Sequence, residues 1–144
     1  MIIPDINLLL YASITAFPEH RAARRWLEEL MNGDEEIGLA APVVFGFIRI
    51  VTNSRVFHPP LSIDDATLRV SQWLARPHVH LLTPGPRHLE LAFALLRKTG
   101  AAGGLTTDTQ LAALAIEYQA ELHSNDTDFG RFSQLRWADP LARP

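Results

Sequence analysis

Four aspartates carry the chemistry this sequence offers: Asp5, Asp108, Asp126 and Asp128. They lie in three separated segments, each next to the end of an expected strand or the start of an expected helix. Carboxylates brought together repel one another unless a cation neutralises them. Mg²⁺ suits such a cluster, because it takes hard oxygen ligands and needs only one or two carboxylates beside waters and phosphate oxygens. Mn²⁺ is a natural substitute. The chain has no cysteine, so no soft ligand set competes, and disulfides, zinc ribbons and thiol catalysis are excluded. Each acid also has a purely structural use. Asp5 can cap the turn that begins near Asn7. Thr107 or Asp108 can cap or complement the helix they start. Asp126 and Asp128 can be turn residues, and Asn125-Asp126 is turn chemistry. Their joint placement is what favours a metal centre.

Four further residues attach to this cluster. Asn7 can orient Asp5 or bond local backbone. Thr107 and Ser124 are placed to hydrogen-bond a carboxylate or a phosphate, or to serve as helix cap and strand-end turn. Arg49 lies in an otherwise apolar helix, where an unpaired charge is costly. It is expected to pair with a carboxylate or project to the groove. Arg21, Arg24 and Arg25 crowd one helix and read as a solvated face. His78 and His80 alternate on one expected strand, and without a third ligand they read as surface residues.

The elements that must position these groups are legible from periodicity. Met1 to Asp5 is a short apolar strand, followed by a helical turn at Leu8 to Tyr11. His20 to Leu30 is a helix, with Ala22, Ala23, Trp26, Leu27 and Leu30 at three- and four-residue spacing. Asn32-Gly33 stops it. Ile37 to Ala40 is a strand or an extended approach, and Pro42 opens an apolar helix to about Val51. Ser62 and Asp65 form a capping-box-like start to a helix ending near Ala75. Val79 to Leu82 is a strand, and Arg87 to Thr99 a helix closed by Gly100. After the Gly103-Gly104 turn, Asp108 to Gln119 is a helix with Leu111, Leu114, Ala115 and Tyr118 on one face. Glu121 to Ser124 is a strand, Asp126 to Phe132 a tight turn or short helix, and Leu135 to Ala138 a last strand. Short strands alternating with helices give an α/β fold, a three-layer α/β/α sandwich with a mostly parallel central sheet. Ligands in such sheets bind beyond the carboxyl ends of the strands, where these acids fall.

Composition sets the outer bounds. A chain of 144 residues, 47% hydrophobic and 20% charged, is expected to form a single domain, residues 1–144. The net charge of −3 argues against a broadly basic nucleic-acid binder. It leaves room for a metal-dependent nuclease, because bound cations and a local basic rim can hold a polyanion. No apolar run reaches the roughly 20 residues needed to span a bilayer, so no membrane partner is expected. Met1 to Leu10 lacks a basic n-region and is interrupted by Pro4, Asp5 and Asn7, so it does not read as a signal peptide. A cytoplasmic location is the resulting expectation.

Taken in order, the motifs resemble those of PIN-domain nucleases. Ile3-Pro4-Asp5-Ile6-Asn7-Leu8-Leu9-Leu10-Tyr11 resembles the family's first motif. Thr107-Asp108 followed by Leu111-Ala112-Ala113-Leu114-Ala115 resembles its central acidic helix, and Ser124-Asn125-Asp126-Thr127-Asp128-Phe129 its last acidic motif. Phe47-Ile48-Arg49, Thr52-Asn53 and Arg55-Val56-Phe57 are similar to a subgroup of VapC-type toxins. So are Leu135-Arg136-Trp137 and Asp139-Pro140-Leu141. The resemblance implies Mg²⁺-dependent hydrolysis of RNA phosphodiesters by the toxin of a toxin–antitoxin pair. Asp5, Asp108 and Asp126 would hold the metal and Asp128 would assist. It also implies a homodimer and a cognate antitoxin whose tail offers an arginine to the acids.

One departure stands out. Many PIN domains carry a glutamate three residues before the arginine that matches Arg49, and here that position is Gly46. No acid lies between Glu36 and Asp64. One well-held Mg²⁺ is therefore expected, with any second ion weak or dependent on bound RNA. A different reading is a catalytically weak or inactive PIN-like module that binds RNA or protein. A third is a phosphatase with Asp5 as nucleophile, against which Asn7 stands where a second acid would be needed. The apolar helices around Trp26 and Phe45-Gly46-Phe47 read as core, as a self-association surface or as a groove for a partner helix.

Overall fold

The computed structural model describes residues 1–100, 103 and 105–142. Its elements run β1 (Ile2–Pro4), α1 (Ile6–Ser13), α2 (His20–Asn32), β2 (Ile37–Ala40), α3 (Ala41–Val51) and α4 (Ile63–Leu74). They continue with β3 (Val79–Leu82), α5 (His88–Thr99), α6 (Leu105–Glu117), β4 (Glu121–His123), a 3-10 turn (Thr127–Arg131) and β5 (Trp137–Ala138). The five strands form one sheet in the order β3-β2-β1-β4-β5, and every pairing is parallel. Parallel strands require crossovers, which the helices supply. Every residue of β2 is buried, so both faces of the sheet are covered there, as an α/β sandwich demands.

From β1 the chain steps to one side for β2 and β3, and later returns to the other side of β1 for β4 and β5. The strand order therefore reverses between β1 and β4. Such a switch point leaves a crevice at the carboxyl ends of the two strands. The register there pairs Ile3 with Leu122 and Pro4 with His123. Asp5 and Ser124 are the next residues on their strands, so the sheet itself delivers them side by side.

The core that fixes this register is apolar and continuous. Ile3, Leu8, Leu9, Ile37, Leu39, Phe47 and Leu122 are fully buried. Phe47 packs on Trp73, with ring centroids 5.1 Å apart. Trp26 is buried, and its indole N–H donates to His123 Nδ1 at 3.1 Å. Trp26 and Phe47 are thus core residues, while Phe45 on the outer side of α3 is 70% exposed.

Several boundaries differ from those read off the sequence. The first strand ends at Pro4, because the Asp5 carboxylate caps α1 and starts the helix at Ile6. Helix α6 begins at Leu105, three residues before Asp108. Gly103 turns the chain at φ 70 and its carbonyl accepts from the Thr106 N–H, a local entry that apolar spacing does not reveal. Gly104, the other half of that expected turn, lies outside the described residues. Tyr118 falls beyond the end of α6, and its hydroxyl donates to the Thr83 carbonyl at 2.8 Å. His78 precedes β3 and bonds the Leu30 carbonyl, whereas exposed His80 pairs with Glu36. The last strand is only Trp137–Ala138. The expected capping at Ser62 is present, its Oγ accepting from the Asp65 N–H at 3.0 Å. None of the helices among the described residues is long and apolar enough to cross a membrane.

Candidate metal centre

A chain of short hydrogen bonds builds the acidic site outward from the sheet. The Asp5 N–H donates to the His123 carbonyl at 2.9 Å, tying the end of β1 to β4. Asp5 Oδ1 accepts from the Ile6 N–H at 2.8 Å, and Oδ2 accepts from the Ser124 hydroxyl at 2.8 Å. The same Ser124 Oγ accepts from the Asp126 N–H at 3.0 Å. Asp126 Oδ1 in turn accepts from the Asp128 N–H at 2.9 Å, capping the 3-10 turn. Ser124 is fully buried and its carbonyl accepts from the Trp137 indole. Each link sets the backbone of the next acid, so Asp5, Asp126 and Asp128 are ordered relative to one another before any ion arrives.

Asp108 comes from the opposite direction, in the first turn of α6. Carboxylate oxygens of Asp108, Asp126 and Asp128 lie within 4.8 Å of one another. Asp5 stands behind this triplet, 6% exposed, with its carboxylate already engaged. Burial pushes the Asp5 carboxyl above its ordinary value. The hydrogen bonds from Ser124 and Ile6 pull it back, and the charge on Asp126 adds to the rise. Burial also raises Asp108, and repulsion from Asp126, Asp5 and Asp128 completes the shift to about 6. Asp108 thus feels the charges of the other three acids.

The donor set is oxygen only and half-buried, and among the described residues no basic side chain pairs with Asp108 or Asp126. Arg131 reaches Asp128 at 3.7 Å, but that pair is exposed and peripheral. Such a set fits a hard divalent ion.

The accessory residues divide. Ser124 bonds a carboxylate directly. Thr107 is exposed on α6 beside Asp108, and Asn7 is half-buried in the first turn of α1. Neither makes a hydrogen bond to an acid among the described residues. Arg49 is exposed, makes no ion pair among the described residues, and faces the groove. That groove is a cleft of about 410 Å³, lined by Asp5, Asp108, Thr107 and Arg49 together with apolar side chains. Gly46 lies in its wall. An ideal Cβ there would sit 2.7 Å from the Ile6 Cδ1, so the space of the missing glutamate stem is held by Ile6. His88 and Gln110 also line the cleft. Sequence reasoning missed them, because a histidine at a helix start and a glutamine on a helix surface carry no spacing signal.

The chain is similar to known proteins in sequence and in fold. The PIN domain family matches residues 2–135. The chain is 59% identical over 141 residues to "Ribonuclease VapC33" of Mycobacterium tuberculosis, covering 98% of this chain and 99% of that protein. Among solved structures, VapBC2 from Rickettsia felis bound to a promoter DNA fragment superposes with a TM-score of 0.70 at 20% identity, covering 96% of this chain and 98% of that one. A toxin–antitoxin complex from Klebsiella pneumoniae superposes with a TM-score of 0.67 at 15% identity, covering 97% and 98%. At such identities the two structures speak to the fold.

Proposed function

This chain belongs to the PIN domain family, and on that premise we propose that residues 1–144 form a single Mg²⁺-dependent endoribonuclease domain, the toxin of a toxin–antitoxin pair. The carrying observation is the gathering of the Asp108, Asp126 and Asp128 carboxylates within 4.8 Å, next to buried Asp5 at the switch point of a parallel sheet, with Asp108 lifted to about 6 by burial and by its neighbours. A resident cation would relieve that repulsion.

In this reading Asp5, Asp108 and Asp126 hold the metal, and Asp128 holds it directly or through water. A bound Mg²⁺ supplies charge neutralisation at the phosphodiester and acidity for the attacking water, and Mn²⁺ can replace it. Ser124 fixes the Asp5 carboxylate in one rotamer and orders Asp126 through its N–H. Such partners behind a ligand tune affinity as much as the ligand does. Arg49 faces the polyanion across the cleft, and Thr107 offers a hydroxyl to a phosphate oxygen. Asn7, in the first turn of α1 and two residues from Asp5, orients that carboxylate or bonds local backbone. The domain works in the cytoplasm on an RNA substrate. A cognate antitoxin silences it by presenting an arginine to the acids. Phe45, Leu89 and Phe93 are exposed and offer apolar surface for a homodimer.

The test replaces Asp5 or Asp108 by Asn and measures RNA cleavage with Mg²⁺, Mn²⁺ and EDTA. Cleavage that both substitutions abolish and EDTA suppresses supports the reading. Cleavage that survives both overturns it, and an intact fold with no cleavage under any condition favours the binding module.

A further inference from the structure

Behind the acids, β4 carries a second chain of polar side chains. Alternation along the strand puts Glu121 and His123 on one face, and α2 meets His123 there with Trp26. The Trp26 indole N–H donates to His123 Nδ1 at 3.1 Å, across 97 residues of sequence. On the other side of the ring, His123 Nε2 lies 2.8 Å from Glu121 Oε1. Trp26 and His123 are buried, and Glu121 opens the chain to solvent. An indole nitrogen only donates, so His123 Nδ1 must present its lone pair. The ring proton is therefore on Nε2, where it is donated to the Glu121 carboxylate. Each bond requires the other, because both depend on the same tautomer.

His123 is joined to the acids through its own backbone. Its carbonyl accepts from the Asp5 N–H at 2.9 Å. The next residue is Ser124, whose hydroxyl donates to Asp5 Oδ2 and accepts from the Asp126 N–H. Strands β1 and β4 have three residues each, so few ladder bonds hold the sheet where Asp5 and Ser124 emerge. A side-chain brace to the 13-residue helix α2 adds the restraint that such short strands lack.

We propose that His123 is a positioning residue of the metal centre: locked as the Nε2–H tautomer between Trp26 and Glu121, it holds the end of β4 so that Ser124 keeps the Asp5 carboxylate in place. Partners behind a metal ligand set its orientation, and with it the affinity for the ion. His123 stands one step further out than Ser124. Through it α2, which lends no carboxylate to the cluster, bears on how tightly the cation is held. The proposal rests on the metal-dependent nuclease reading above.

The experiment measures Mg²⁺ affinity by titration calorimetry for the wild type, Trp26→Phe, His123→Ala and His123→Asn. Trp73→Phe makes the same change at a buried indole that packs on Phe47, outside this chain of bonds. Long-range proton–nitrogen NMR spectra of the metal-free proteins read the ring tautomer, and amide exchange in EDTA reads the site. The wild type should show the His123 proton on Nε2. Trp26→Phe and His123→Ala should each lower Mg²⁺ affinity by about three- to tenfold, less than for a partner that bonds a ligand directly. In the same two variants the Asp5, Ile6 and Asp126 amides should exchange faster. His123→Asn, whose Oδ1 can accept the indole N–H, should recover part of both losses. Trp73→Phe should lower stability and leave affinity unchanged. Wild-type affinity in Trp26→Phe and His123→Ala overturns the proposal, as does an equal loss in Trp73→Phe or a wild-type proton on Nδ1. Where His123→Ala does not fold, Trp26→Phe and His123→Asn decide. A wild type that binds no Mg²⁺ overturns the proposal together with the metal reading. One that binds Mg²⁺ and cleaves no RNA removes the nuclease reading alone.

Discussion

Asp5 is almost fully buried and its carboxylate accepts two hydrogen bonds, whereas Asp108 is half-buried and its carboxylate accepts none among the described residues. The two face the same cleft and repel each other. On the sheet side, Asp5 is part of the scaffold: it caps α1, receives the Ser124 hydroxyl and ties β1 to β4. On the helix side, Asp108 contributes little to folding and bears charge that Asp5, Asp126 and Asp128 oppose. Half of the site is thus held by its own hydrogen bonds, and the other half gathers like charges whose repulsion a cation would relieve.

The largest expected effect tests the shared role. Asp5→Asn and Asp108→Asn should each lower Mg²⁺-dependent RNA cleavage by more than about 100-fold, read from initial rates. Ser124→Ala comes next. It removes the donor to Asp5 Oδ2 and the acceptor for the Asp126 N–H, so calorimetry should find Mg²⁺ affinity lowered by about 10–100-fold. Equal affinity in that variant would detach the sheet side from the metal.

The pH response separates the halves. Asp108 titrates near 6 in the metal-free fold against 3.8 ordinarily. Protons compete with the cation, so Mg²⁺ affinity should fall by up to about tenfold per pH unit below about 6, read as activity at subsaturating Mg²⁺. The metal-free protein should do the opposite. Between 3.8 and about 6 the folded state holds a proton that the unfolded chain does not, so stability should rise as pH falls through that window. Urea titrations with EDTA at pH 5 and 7 check the sign.

The smallest effect is the most discriminating. Asp5→Ala should cost the metal-free fold about 1–2 kcal/mol, because a helix cap and the Ser124 bond are lost. Asp108→Asn should leave stability unchanged or raise it, because it removes repulsion and breaks no hydrogen bond. Losses of similar size in both variants would erase the distinction between the two sides.

Much of this was legible in the sequence because it is written in local pattern. Three- and four-residue apolar spacing marked α2 and α6, and Asn32-Gly33 and Gly100 marked helix ends. Strand-length apolar runs alternating with helices specified a parallel sheet, and hence the strand ends where acids gather. The expectation that Asp5, Asp108, Asp126 and Asp128 gather followed from that rule, and the fold brings the last three within 4.8 Å of one another. The three-residue error at the start of α6 arose because Leu105 to Thr107 carry no periodic signal, and the turn at Gly103 that launches the helix is a backbone matter.

What the chain alone determined, then, is which side chains meet: residue types and periods fix the elements, and parallel strands bring their carboxyl ends together. What only the tertiary structure decided is how differently they are treated. Burial, the Ser124 hydroxyl and the register of β1 on β4 make Asp5 a structural acid. Approach of α6 from the far side leaves Asp108 among like charges. The cleft with His88 and Ile6 in its wall belongs to the same class, since it arises from helix packing across more than 80 residues of sequence, between Ile6 and His88. Such facts depend on which surfaces exclude water and how closely charges approach, and those quantities exist only after the chain has packed.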